Sequence, residues 1–137
     1  MSGIPSGGGT EVLKRTSVIN VGGGTAQATW WEVDWTSAQV TSASTYDVPA
    51  HHIITVLNVI ICNNSTTSIY KVDMAVTPSG GTIQDIIKNQ SLGAVQTFVW
   101  NYKFVLSAGD SLGFRNNEAN SGDDFDIYIS FIDQDWS

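Results

Sequence analysis

The sequence predicts an all-β domain, an antiparallel β-sandwich with a jelly roll as one arrangement of it. Three observations carry this. Apolar and polar residues alternate in at least five segments, the period of a half-buried strand. Clusters of Gly, Pro, Asn and Ser separate those segments at short intervals, and such residues make turns. No segment holds a 3.6-residue apolar period long enough for a stable helix. The 137 residues fit one domain. A chain of this length buries roughly 68% of its unfolded surface and needs no disulfide or metal to hold a core.

Residues 1–24 read as a glycine-rich N-terminal arm and residues 25–137 as one sandwich. Residues 1–9 offer too little side chain to fold alone. Glu11, Val12, Leu13, Lys14 and Arg15 then form a short amphipathic segment that carries two of the six Lys and Arg. Two readings stay open for it. Either the chain begins a first strand at 16–21 with a loose tail before it, or the segment is an arm that docks on a neighbour. A second glycine run, 22–24, separates it from the rest.

Trp31, Val33 and Trp35 share one face of the next strand, with Trp30, Glu32 and Asp34 opposite. Residues 36–46 are polar and suit a loop or an edge strand. The apolar run 53–61 is rich in Ile and Val and predicts a central strand buried on both sides. Residues 63–67 have turn chemistry and are expected to join it in a hairpin to a strand in which Tyr70, Val72, Met74 and Val76 point one way. Pro78, Ser79, Gly80 and Gly81 end that strand. Ile83, Ile86 and Ile87 fit one helical turn or a strand. Phe98, Trp100, Tyr102, Phe104 and Leu106 line one face of a long strand. Leu112 and Phe114 open the next, residues 116–124 form a polar loop, and Phe125, Ile127, Ile129 and Phe131 face inward in the last, with Asp126, Tyr128 and Ser130 outward. The expected core comprises Trp31, Val33, Ile54, Val56, Val72, Met74, Trp100, Tyr102, Phe104, Phe125, Ile127 and Ile129.

Composition bears on function. Net charge is −7, with 13 acidic residues against six Lys and Arg. Nucleic acid and anionic membranes are therefore not expected partners, since both need clustered cations. Only 14% of residues are charged, against about 25% in typical domains. Strand faces poor in charge suit protein contact, because little must be desolvated. There is no signal peptide pattern and no apolar run near the roughly 20 residues of a spanning helix, so the expectation is a protein made in a host cytoplasm.

A search for reactive chemistry is mostly negative. Cys62 is the single cysteine and lies in an apolar run, where a small buried hydrophobe is expected. His51 and His52 are adjacent, so on a strand they point to opposite faces and cannot share a metal. Asp123, Asp124 and Asp126 lack the acidic ladder of a calcium loop. Asp110, Glu118 and Asp126 have no spacing that marks a glycosidase pair. No catalytic, cofactor or metal residue is assigned, and no cofactor is expected. Among the five tryptophans, Trp31, Trp35 and Trp100 fall on apolar faces. Trp30 and Trp136 do not, and with Glu11, Val12, Leu13, Lys14 and Arg15 they are the candidate partner-binding residues.

Residues 4–15, Ile-Pro-Ser-Gly-Gly-Gly-Thr-Glu-Val-Leu-Lys-Arg, resemble the start of small structural proteins of tailed-phage virions. The run 104–112, Phe-Val-Leu-Ser-Ala-Gly-Asp-Ser-Leu, is similar to the Gly-Asp turn that joins two sandwich strands in them, and residues 56–60 before an Asn/Ser/Thr turn fit as well. The resemblance implies a virion component of the head surface or the tail, and none of its motifs is catalytic. The leading expectation is a capsid decoration (cement) protein. It would bind the major capsid protein or another virion protein and associate with itself, a trimer being favoured. The alternative is a tail or fibre adhesion module for a host glycan or receptor. A glycan-processing enzyme is the third possibility. The expectation is a protein that binds and does not catalyse.

Overall fold

The structure, a computed structural model, describes residues 10–21, 30–117 and 125–136. The glycine stretches 1–9 and 22–24, with the domain boundary expected there, and the acidic loop holding Glu118, Asp123 and Asp124 lie outside the described residues. Nine strands are present among those described: β1 (Thr10–Val21), β2 (Trp31–Glu32), β3 (His52–Asn63), β4 (Tyr70–Thr77), β5 (Gln84–Leu92), β6 (Thr97–Trp100), β7 (Phe104–Ser107), β8 (Ser111–Asn116) and β9 (Phe125–Asp135). No helix occurs among them. One sheet runs β1-β9-β3, with β6 and β7 end to end along the far side of β3. The other runs β2-β8-β4-β5, and all strand pairs are antiparallel. Successive strands alternate between the sheets except at the β4–β5 hairpin and at β6–β7. That order is a jelly roll, a double sheet of Greek keys.

The core lies between the sheets. Val18, Val33, Ile54, Val56, Val59, Ile61, Val72, Met74, Phe114, Phe125, Ile127, Ile129 and Phe131 are buried in it. Trp35 closes one end, edge-on to Phe131 with ring centroids 5.0 Å apart. Trp31, Trp100 and Phe104 pack against this core and are only partly buried.

Several expectations are corrected. Tyr102 is 72% exposed, because the expected long strand is broken. β6 pairs Val59–Cys62 of β3, and β7 pairs Ile53–Val56. Residues 101–103 bridge the gap opposite Leu57 and Asn58, where β3 itself bulges against β9 between Val56 and Asn58. The three residues do not fit the ladder opposite two, and alternation is lost there.

β3 is central but buried on one face only. Ile54, Val56, Val59 and Ile61 point into the core, whereas Ile53, Leu57, Ile60 and Cys62 on the other face are half-buried. Cys62 is thus an outward residue and not a core one. Ile86 and Ile87 lie in β5, with Ile87 paired to Met74, and Ile83 just precedes that strand.

β3 and β4 do not form a hairpin either, since they belong to different sheets and residues 63–67 carry the chain across. Asn63 fixes that crossing. It is fully buried, its Nδ2 donates to the carbonyls of Ser68, Leu92 and Gly93 at 2.9–3.1 Å, and its Oδ1 accepts from Ser65 N. Asn63→Ala would strand buried carbonyls and the Ser65 amide, each costing about 1–3 kcal/mol. The expected loss is therefore about 2–4 kcal/mol in urea unfolding. A change within about 0.5 kcal/mol, the usual range for surface substitutions, would show that the crossing does not depend on it.

Candidate interaction face

The outward sides of the two sheets differ. On the four-stranded sheet, side chains of β4, β8 and the residue before β2 pack on one another over part of the outer surface. Asp73 is fully buried there and accepts from Arg115 Nε and a terminal nitrogen at 3.1 and 2.7 Å and from Asn89 N at 2.7 Å. The Arg115 guanidinium lies 4.4 Å from the centre of the Trp30 ring, a cation–π contact. Trp30 also sits over Gly113, where an added Cβ would come within 3.3 Å of the indole. Trp30, Glu32, Ser111, Thr77 and Ile83 line a small hollow beside it. Burial raises the Glu32 carboxyl above its ordinary range, against the lowering effect of the hydrogen bond from Tyr46 N at 2.9 Å.

The five-stranded sheet has an outer face that no other element covers among the described residues. Cross-strand register puts its side chains in rows: Leu13, Ile132, Thr55 and Val105; Arg15, Ser130 and Asn58; Ser17, Tyr128, Ile60 and Val99. Leu13 is 69%, Val105 60% and Val99 54% exposed, with Tyr128 also open. Leu57 and Asn58, pushed out at the bulge, flank a shallow hollow shared with Leu13, Arg15, Tyr128 and Ser130. Asn58 Oδ1 is buried beneath it with no hydrogen-bond partner among the described residues. A sheet face is normally covered by another layer or made polar. This one is mixed, with exposed apolar side chains beside Arg15, Ser17, Ser130 and Asn58, and has no second layer among the described residues.

β1 is the edge strand of this sheet. It begins at Thr10 rather than at residue 16, because β9 extends to Asp135 and supplies partners along the whole length. Glu11, Val12, Leu13, Lys14 and Arg15 are consequently members of the sheet. Lys14 Nζ donates to Asp133 Oδ2 at 2.8 Å, and His52 Nδ1 lies 2.6 Å from Asp133 Oδ1. Residues 37–40 cover the later half of the edge through Ser17 N to Ala38 O, Ile19 N to Val40 O and Val40 N to Ser17 O. Among the described residues, nothing pairs with the earlier half. Trp136 continues from β9 near the same end, edge-on to His51 at 4.9 Å. Trp30 is on the opposite sheet. The structure thus groups Glu11, Val12, Leu13, Lys14, Arg15 and Trp136 and sets Trp30 apart.

No family model and no curated protein matches the sequence. Solved structures with a related arrangement include a mutant VP2 protein of infectious bursal disease virus in T=1 particles, 10% identical with a TM-score of 0.48 over 96% of this chain and 32% of that one. The Drosophila NLP-core is 12% identical, with a TM-score of 0.43 over 93% and 98% of the two chains. A pentameric capsid protein from metagenomic phage sequences is 20% identical, with a TM-score of 0.30 over 66% and 59%. The chain spans about a third of the length of the VP2 chain. At these identities and scores the likenesses say nothing of what this chain binds.

The rows across the outer face were hidden from sequence reading because they combine residues from five strands. The signal was present in β3, where Ile53, Leu57 and Ile60 looked like a second buried face. Among the described residues no three His, Cys, Asp or Glu side chains are grouped to hold a metal.

Glu32 gives a pH test of the four-stranded side. Its folded pKa lies above the unfolded one, so protonation favours the fold, and that contribution is lost as pH rises through the raised value. Glu32→Gln keeps an acceptor for Tyr46 N and removes the desolvated charge. Its melting temperature is expected to exceed that of the unsubstituted protein slightly at pH 7. The difference should shrink as pH falls towards the ordinary glutamate range. A constant difference from pH 7 down to pH 4 would contradict the assignment.

Proposed function

We propose that the chain is a structural component of a phage particle, a decoration protein that lays the outer face of its five-stranded sheet on the capsid shell and associates with copies of itself. The observation that carries this reading is the outer face of the five-stranded sheet, with Leu13, Val99, Val105 and Tyr128 exposed and no second layer over it among the described residues. Exposed apolar patches rimmed by polar groups mark interaction sites on soluble domains. Jelly rolls serve viral capsids, lectin domains and cupins alike, so the fold admits the reading without selecting it. The resemblance of residues 4–15 and 104–112 to virion proteins selects it. In this reading Glu11, Val12, Leu13, Lys14 and Arg15 meet neighbours along the sheet edge and Trp136 meets them at the end of β9, the location is the virion, and the work is binding rather than catalysis.

One feature favours the adhesion alternative. Trp30, beside Glu32, Thr77 and Ser111, presents an aromatic surface next to polar groups, a combination that stacks on sugar rings. Stoichiometry separates the two, since a head decoration is present in far more copies per particle than a fibre.

The test adds purified protein to particles that lack it and measures occupancy by sedimentation and quantitative mass spectrometry. Val99→Lys with Val105→Lys alters only exposed side chains, so thermal stability should be nearly unchanged while occupancy falls at least tenfold. Full occupancy by that variant would remove the outer face from the proposal. If the protein without substitutions binds only at fibre-like copy number, the decoration reading fails.

A further inference from the structure

The open half of the β1 edge fits one partner in particular, a second copy of the same edge. Register with β9 is unbroken from Thr10 to Val18. Ser17 and Ile19 turn their backbone groups away from β9, towards residues 38–40. Antiparallel pairing alternates along a strand, so Glu11, Leu13 and Arg15 direct their N–H and C=O groups outward in the same way. Those groups have no partner strand among the described residues, and the Leu13 side chain beside them is 69% exposed.

We propose that two copies join by antiparallel β1–β1 pairing about a two-fold axis at Leu13, which makes one continuous sheet from two. In this register Leu13 faces the partner's Leu13, and Glu11 faces the partner's Arg15 twice over. Every outward backbone group of the three residues is then bonded. Val12 packs under the partner's Lys14 stem on the other side. Other registers that align outward groups do worse. Centring on Glu11 or on Arg15 sets like charges opposite each other, which is destabilising. Centring between Leu13 and a neighbour leaves one of the three unpaired. The pairing stops where residues 37–40 already occupy the edge beside Ser17 and Ile19. Neither Glu11 nor Arg15 is ion-paired within the chain among the described residues, so both are available.

The two-fold axis is perpendicular to the sheet, and both outer faces therefore lie on one side. One copy offers a face of about 20 by 35 Å, taking strands about 4.8 Å apart and about 3.3 Å per residue along the 11 residues of β9. The pair doubles the surface presented on that side. A self-complementary edge closes at two copies, which replaces the trimer expected from sequence as the unit of association. The pairing is a property of the isolated chain and stands or falls without any particle.

The test is sedimentation velocity on the full-length protein at micromolar concentration. The protein is expected to be dimeric. E11R and R15E each place like charges opposite one another at both ends of the junction, and each alone should dissociate about tenfold or more readily with an unchanged melting temperature. Mixed in equal amounts, they restore opposite charges at both ends and should form a mixed dimer as tight as the original. A role of either residue in folding alone would not produce that recovery. A monomeric or trimeric protein, single variants that remain dimeric, or a mixture that fails to pair would each overturn the proposal.

Discussion

The long antiparallel ladder between β3 and β9, from His52 opposite Asp135 to Asn63 opposite Phe125, holds the rest of the molecule in place. Each strand serves two neighbours. β9 carries β1 on its far side, and β3 carries β6 and β7. Because side chains alternate along both strands, one ladder fixes two surfaces at once. Ile54, Val56, Val59 and Ile61 meet Ile127, Ile129 and Phe131 in the core, and Ile53, Thr55 and Ile60 align with Gln134, Ile132 and Tyr128 outside. The inner surface drives folding by apolar burial. The outer one carries apolar side chains as well, mixed with Thr55, Ser130 and Gln134, and no layer covers it among the described residues.

The bulge in β3 is the one place where this pairing is interrupted, and its effects spread. It turns Leu57 and Asn58 outward together, opens the hollow beside Arg15 and Ser130, and splits the β6–β7 edge opposite it. Tyr102 is expelled from the core by the same event and rests edge-on to Trp100, with ring centroids 5.2 Å apart. A single inserted residue therefore shapes both the core boundary and the candidate face. Bulges commonly re-aim side chains next to functional surfaces.

Period-two alternation made the strands legible in the sequence. It identified the inward residues of β4 and β9 because each strand reports its own two faces; in β3, read as buried on both sides, the expected core held Ile54 and Val56 but not Val59 and Ile61. It failed where a fact belongs to two strands at once. Nothing in residues 98–106 announces a break, since the break answers a bulge in β3. Nothing in residues 53–61 tells whether the second apolar face meets another layer or solvent. Asn63 read as the start of an ordinary turn, although its buried side chain bonds carbonyls at residues 68, 92 and 93 and carries the chain to the other sheet. Trp30 was separable from the core by its parity, but its place over Gly113 and Arg115 required the β2–β8 register.

An open edge beside an apolar face ordinarily invites uncontrolled stacking of sheets. The arrangement of β1 restricts it. Residues 37–40 block the later half of the edge through backbone bonds to Ser17 and Ile19, which limits any incoming strand to the first half. Within that half, Glu11 and Arg15 flank Leu13 at equal distance along the outer face. Opposite charges at equal spacing on either side of an apolar residue match an antiparallel copy and no shifted one. They also disfavour a parallel copy, which would set Glu11 against Glu11 and Arg15 against Arg15. Charged edge residues usually act only to repel. Here the same two side chains reject the wrong registers and accept one, so a strand edge that would be a hazard in a chain without them becomes a junction limited to two copies.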